Sequence, residues 1–266
     1  MGRQPDISEL SKGLVAKLSR SKQGLQYAAS RAISDIGHEE LEEIVAARTE
    51  DLSLHFAMHA FSLRKSYGSF PPELQRDVRA FFGSHKRAQE AGQALLYSIG
   101  NQDLLLEDAA VAAAARIGHL EHDKFQFPAH RLRELSVRLQ AYVALAERLA
   151  GDLSEATFLR IHINGRKLTA LTYADFETSF LPRLMTRVKV EFDTFDVSII
   201  DHSAENDVRL LYLKSRYMTE TDPRRAAQRA FDQEVLDLNA LNFANEGPSF
   251  REFAQTLLKA GVKIPS

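Results

Sequence analysis

The sequence contains no cysteine. That excludes disulfides, thiolate catalysis and cysteine-ligated zinc, and it fits a reducing cytoplasm, where the protein is expected to reside. The phosphate-cradling patterns GxGxxG and GxxxxGK[ST] are missing, which disfavours an ATPase or a cofactor-dependent methyltransferase. The GxSxG elbow of α/β-hydrolases is missing too. No apolar run approaches the roughly 20 residues of a membrane helix. The opening MGRQPDISELSKG has no apolar core of a signal peptide. A soluble, intracellular chain with no membrane partner is the expectation. An overall excess of positive charge is also lacking: 34 Lys and Arg stand against 36 Asp and Glu. A dedicated nonspecific nucleic-acid binder is usually more basic.

What is present is local. Residues 1–24 carry five cations and two acids, residues 35–51 seven acids and one arginine, and residues 61–90 six cations and three acids. A basic face on a nearly neutral protein is compatible with these totals, as are ordinary solvated helix surfaces. With 266 residues, 44% of them hydrophobic, the chain can bury a substantial core without covalent staples.

Helical periodicity dominates the first 150 residues. ISELSKGLVAKLSR, HEELEEIVAARTEDLSLHFAMHAFSL, PPELQRDVRAFFG, HKRAQEAGQALLYSIG, DLLLEDAAVAAAARIG and PAHRLRELSVRLQAYVALAERLAG each read as helix. Several open on proline or close on glycine. After Gly151 the period shortens. ATFLRIHIN and KLTALTY alternate around Asn164-Gly165, a two-residue hairpin signal. RVKVEF and DVSIID form a second hairpin, and DVRLLYLK is a further strand candidate. PRRAAQRAFDQEVLDLN and SFREFAQTLLKAG return to helix. The expected fold is α+β: a helical region over 1–150, then an antiparallel sheet of roughly five strands with closing helices over 151–266, packed as one compact unit.

Several side-chain groupings could carry chemistry. His55 and His59 share a helix face at i,i+4 spacing that suits a metal, but the metalloprotease glutamate is missing and packing explains them as well. His119 and His122 are a weaker pair. Ser84 can cap the helix that carries Lys86, and a free helix N-terminus favours phosphate. His130 and Arg131 fall in an expected first helical turn, where cations oppose the dipole unless an anion or a nearby carboxylate offsets them. The stretch KLTALTYADFETSFLPRLMTRVKV sets Asp175 and Glu177 between two strands, with Arg183, Arg187 and Lys189 following. Asp175 could activate water or stabilise a cationic transition state. From spacing alone, the better reading of Asp175 is the cap of a helix through Phe176–Leu181.

FPPELQRDVRAFFGSHKRAQEAGQALLYSIGN, FPAHRLREL and LTYADFETSFLPRLMTRVKV occur in this order in a known family. Over Arg48–Thr219 the chain resembles the region outside the methyltransferase domain of phosphorothioation-associated DNA methyltransferases. Asp175 and Pro182 match that family's motif, Glu177 replaces one of its acids, its histidine is missing, and of a later basic triplet only Lys214 matches. The cofactor motif has no counterpart, so methyl transfer does not carry over. The resemblance implies a bacterial DNA-modification or phage-defence setting, and similarity to a stand-alone anti-phage DNA glycosylase that flips and excises modified bases. On that reading Asp175 is the catalytic carboxylate, and Tyr173 and Glu177 line the base pocket. Lys86, His130, Arg131, Arg183, Lys189 and Lys214 hold double-stranded DNA, with no metal or cofactor. The alternatives are a non-catalytic reader of modified or phosphorothioated DNA and a protein-interaction subunit of a defence complex.

Overall fold

A computed structural model describes residues 2–20, 24–61, 66–204, 208–244 and 247–265. The fold is α+β, with one antiparallel sheet of six strands. Contacts divide the chain into two units, Met1–Gly100 and Asn101–Ser266. No described helix is long and apolar enough to cross a membrane.

The first unit is helical: α1 (Lys12–Ser19), α2 (Gly24–Ile36), α3 (His38–His59), α4 (Pro72–Phe82) and α5 (His85–Ser98). The expected extension of α3 to Leu63 runs outside the described residues. Pro72 opens α4 without losing a useful N–H, and Gly83 ends it at φ 73°, a left-handed conformation that costs glycine little. Ser84 then caps α5 by accepting from the Arg87 N–H. Glycine is required at Gly92 for another reason: a Cβ there would lie 2.6 Å from backbone atoms of Phe56 and Ala57, so α5 meets α3 almost backbone to backbone.

The amino-terminal segment is tied to α4 by charge. The Arg3 guanidinium reaches Asp77 at 2.5 Å and Glu9 at 2.6 Å, while Arg48 holds the other Asp77 oxygen at 2.6 Å. The hydrogen bond from Arg3 lowers the Glu9 carboxyl from 4.5 to about 2. A carboxyl lowered on folding contributes stability above its unfolded value and loses it as pH falls towards its folded value. The first unit should therefore weaken between about pH 4.5 and 2. Thermal melts across that range check this: Glu9→Gln should flatten the pH dependence, and an unchanged profile would show that the tie contributes nothing.

The second unit runs α6 (Gln102–Ala114), β1 (His119–Glu121), β2 (Lys124–Pro128), α7 (Val137–Ala150), β3 (Phe158–His162), β4 (Lys167–Ala174), β5 (Arg183–Glu191), β6 (Asp196–Asp201), α8 (Arg225–Asp237) and α9 (Phe250–Ala260). The strands lie in chain order, each antiparallel to the next. The β1–β2 hairpin brings the count to six where about five were expected. DVRLLYLK is not a strand. Asp207 lies outside the described residues. Leu210 makes one bridge to Arg183, and Leu213 at φ 53° turns the chain into the 3-10 helix Lys214–Tyr217. The helix expected from Pro128 is divided. A 3-10 helix spans Ala129–Glu134, and α7 begins at Val137, where Ser136 caps it by accepting from the Leu139 N–H.

Register sorts the sheet into two faces, because paired residues share a face and side chains alternate along each strand. Phe125, Phe127, Leu159, Ile161, Leu168, Ala170 and Val190 occupy one face and are buried. α7 lies on this side, where Tyr142 meets Phe192 edge-on at 4.9 Å. The opposite face carries the polar residues from which the candidate site is built.

Candidate nucleic-acid interface

The register aligns the polar face across four strands. Gln126 on β2 pairs with Arg160 on β3, Arg160 with Thr169 on β4, and Thr169 with Lys189 on β5. In the next row on one side, Lys124 pairs with His162 and His162 with Lys167; in the next row on the other side, Leu171 pairs with Arg187. Lys124, Arg160, Lys167, Arg187 and Lys189 thus project from one face, although the sequence spreads them over more than sixty residues. The effect of this charge shows on His162, which burial and then Arg160, Lys167 and Lys124 hold down at about 4. His162 is therefore neutral near pH 7, and its Nε2 lies 3.1 Å from Thr169 Oγ1.

A cavity of about 570 Å³ opens on this face, walled by residues 208–217 and 247–251. Six cations line it (Lys124, Arg160, Arg187, Arg209, Arg216 and Arg251) against one acid, Glu121. Tyr173, Tyr212, Tyr217, Phe243 and Phe250 supply aromatic surface. Arg209, Arg216 and Arg251 are exposed, whereas Gln126 is only 4% exposed and Arg160 is half-buried. Charge is thus most accessible at the rim, with more enclosed donors below. The apolar end rests on Phe158, which packs with Leu171, Leu184 and Leu211 and meets the Tyr217 ring at 4.8 Å. Burial raises the Tyr217 hydroxyl to about 12, so it remains a neutral phenol. His119 is held below its usual value by burial and by Arg216, whose Nη1 lies 3.3 Å from His119 Nε2. Neutral His119 accepts that hydrogen bond and orients Arg216.

Of the residues singled out in the sequence, Tyr173 lines this cavity and Lys189 lies on the same face. Others are placed elsewhere. Asp175 is exposed at φ 54° in the turn after β4. It caps no helix: Thr178 and Ser179 donate to its main-chain carbonyl, and the Phe176–Leu181 helix is not formed. Glu177 is exposed and pairs with Arg224 at 2.5 Å. Arg183 reaches the carbonyls of Ser203 at 3.0 Å and Ala204 at 2.6 Å. Lys214 is buried, donating to the Ser179 carbonyl at 2.7 Å, with its ammonium 4.8 Å from the Phe176 ring centre. Arg131 is paired with Glu134 at 2.5 Å, so a neighbouring carboxylate offsets its charge. His130 is exposed. Lys86 belongs to the helical unit, where it faces Glu90 at 3.7 Å.

His55 and His59 lie in that unit with ring centres 5.1 Å apart, and His59 packs edge-on against Phe70. Among the described residues, no group of three or more side chains could hold a metal ion. Lys124, Gln126, Arg160 and Arg216 were not singled out in the sequence as DNA contacts. A signal for the first three existed: KFQFP and FLRIH alternate, and their polar positions are the ones the register joins. No protein-family model, curated protein or solved structure matches the chain.

Proposed function

We propose that the second unit binds DNA on the polar face of its sheet, with phosphates held by the rim cations and one unstacked nucleotide received in the cavity. The observation that carries this reading is the six-to-one ratio of cations to acids around an aromatic-lined cavity. Such a cavity focuses positive potential and favours a polyanion, and aromatic walls stack bases without regard to sequence. A volume of about 570 Å³ falls in the range of small-molecule sites, roughly 300–1,000 Å³. The resemblance to proteins of DNA modification supports a bacterial DNA-modification or phage-defence setting.

A second reading, excision of the received base, draws support from Glu121 and Tyr173, which both line the cavity. In that reaction the C1′–N bond breaks and the base leaves with its electron pair and gains a proton. Water adds to C1′ and leaves an abasic deoxyribose. A carboxylate beside the sugar stabilises the oxocarbenium-like transition state or accepts the proton from water. Asp175, the carboxylate favoured by the family resemblance, is not among the residues lining the cavity.

One experiment addresses both readings. The protein is titrated with labelled DNA in EDTA at several salt concentrations, and the DNA is then treated with alkali. Binding should weaken linearly in log salt. At about 0.9 per neutralised phosphate, six lining cations bound the slope near −5. Affinity indifferent to salt would overturn the DNA reading and favour a protein-interaction subunit. Alkali-labile breaks in DNA bearing modified bases would establish excision, and comparing Glu121→Gln with Asp175→Asn would identify the carboxylate. Binding without breaks would leave a DNA reader.

A further inference from the structure

Gln126 is 4% exposed and lies in the cavity wall on β2. Its Oε1 accepts from Arg160 Nε at 2.8 Å. That bond fixes the amide: turned over, it would set two donors against each other. The Nε2 group is consequently a donor, and it has no partner among the described residues. A buried donor without an acceptor is costly and calls for an explanation. Arg160 uses Nε for Gln126, so the two terminal nitrogens of its guanidinium are further donors beside the amide. The cavity wall therefore holds neighbouring donors joined by one hydrogen bond, below a rim of exposed arginines, and the Gln126 Nε2 group is closed to water until an incoming acceptor moves the wall.

Resting on the DNA reading above, we infer that Gln126 and Arg160 form a base-reading subsite that selects nucleobases with a keto acceptor edge over those with an amino edge. Two adjacent donors complement O6 and N7 of a 6-oxopurine, or O4 of thymine. The exocyclic amino group of adenine or cytosine would set a donor against a donor. Discrimination arises mainly from the mismatch, because the wrong base leaves buried polar groups on both partners unpaired.

The probes are homopolymeric single strands of deoxyinosine, deoxyadenosine, deoxythymidine and deoxycytidine. Inosine is compared only with adenosine and thymidine only with cytidine, so ring size is matched within each pair. Binding is read by fluorescence anisotropy at fixed salt. The keto member of each pair should bind roughly tenfold tighter, in line with the discrimination of one good base contact. Gln126→Met, which keeps the volume and removes the amide, should shrink both ratios to within about twofold or threefold. Gln126→Glu, which keeps the shape and replaces the donor with an acceptor, should move them towards the amino bases. Circular dichroism confirms that each variant folds. Salt-dependent binding with equal affinity within both pairs, or ratios unchanged by both variants, would overturn the subsite while leaving the DNA reading intact. Failure to bind any strand in a salt-dependent way would overturn both.

Discussion

Phe158→Ala is expected to cost the second unit about 3–5 kcal/mol, the usual range for emptying a buried aromatic site. Phe158 is fully buried on β3, and its ring meets Tyr173 at 5.8 Å, Phe176 at 5.3 Å and Tyr217 at 4.8 Å. These neighbours come from β4, the turn after it and the 3-10 helix of residues 214–217, so the ring fastens the cavity wall to the sheet. Collapse of the site to refill the void would require those three elements to shift together. Chemical denaturation followed by far-UV circular dichroism reads the loss. A change below about 2 kcal/mol would contradict this account, because it would fall under the range seen even for truncating a buried aliphatic side chain to alanine. Phe158→Leu should recover part of the loss and retain more DNA binding than alanine.

The second large effect is expected on binding. Arg160→Ala should lower DNA affinity roughly thirtyfold, about 2 kcal/mol, the threshold at which an interface residue dominates. Arg160 lies at the centre of the cationic face, is half-buried, and holds the Gln126 amide. Its removal takes away a charge and also frees the neighbouring donor to turn. Arg160→Lys should recover only part of the loss, since an ammonium keeps the charge and lacks the planar fork. Lys86→Ala in the helical unit provides the comparison. A loss there as large as that of Arg160→Ala would contradict a site built on the sheet alone.

The sequence made the α+β architecture legible because its two periods separate cleanly. The helices around Pro72 and Gly83, and the strands flanking Asn164-Gly165, carry both the periodicity and the terminators that physics associates with them. The β1–β2 hairpin was harder to see. Its strands have three and five residues, too short for alternation to stand out beside the helical segments around them. DVRLLYLK alternates like a strand, but Leu213 adopts a left-handed conformation and Lys214 turns inward to Ser179. Tertiary contacts override the local pattern there.

The candidate site was legible only in fragments. Tyr173 and Lys189 stood out in a stretch where acids and cations crowd together. In the structure the crowding is dispersed: Glu177 pairs with Arg224, outside the stretch, and Arg183 turns to the Ser203 and Ala204 carbonyls. The cations of the polar face come from four separate strands, and only pairing register unites Lys124, Arg160, Lys167 and Arg187. Alternation showed that the recognised strands had a polar side. It could not show that these sides coincide, or that residues 208–217 rise beside them to make a cavity.

The central claim is that DNA occupies the polar face between those walls. Hydrogen exchange of the whole protein, with and without a saturating single strand, tests it most directly. Slow exchange already protects strand amides, so the informative segments are the walls. The account predicts that DNA slows exchange in residues 208–217 and 247–251 and leaves α3 and α5 unchanged. Slowing confined to the helical unit, with both wall segments unaffected, would contradict it.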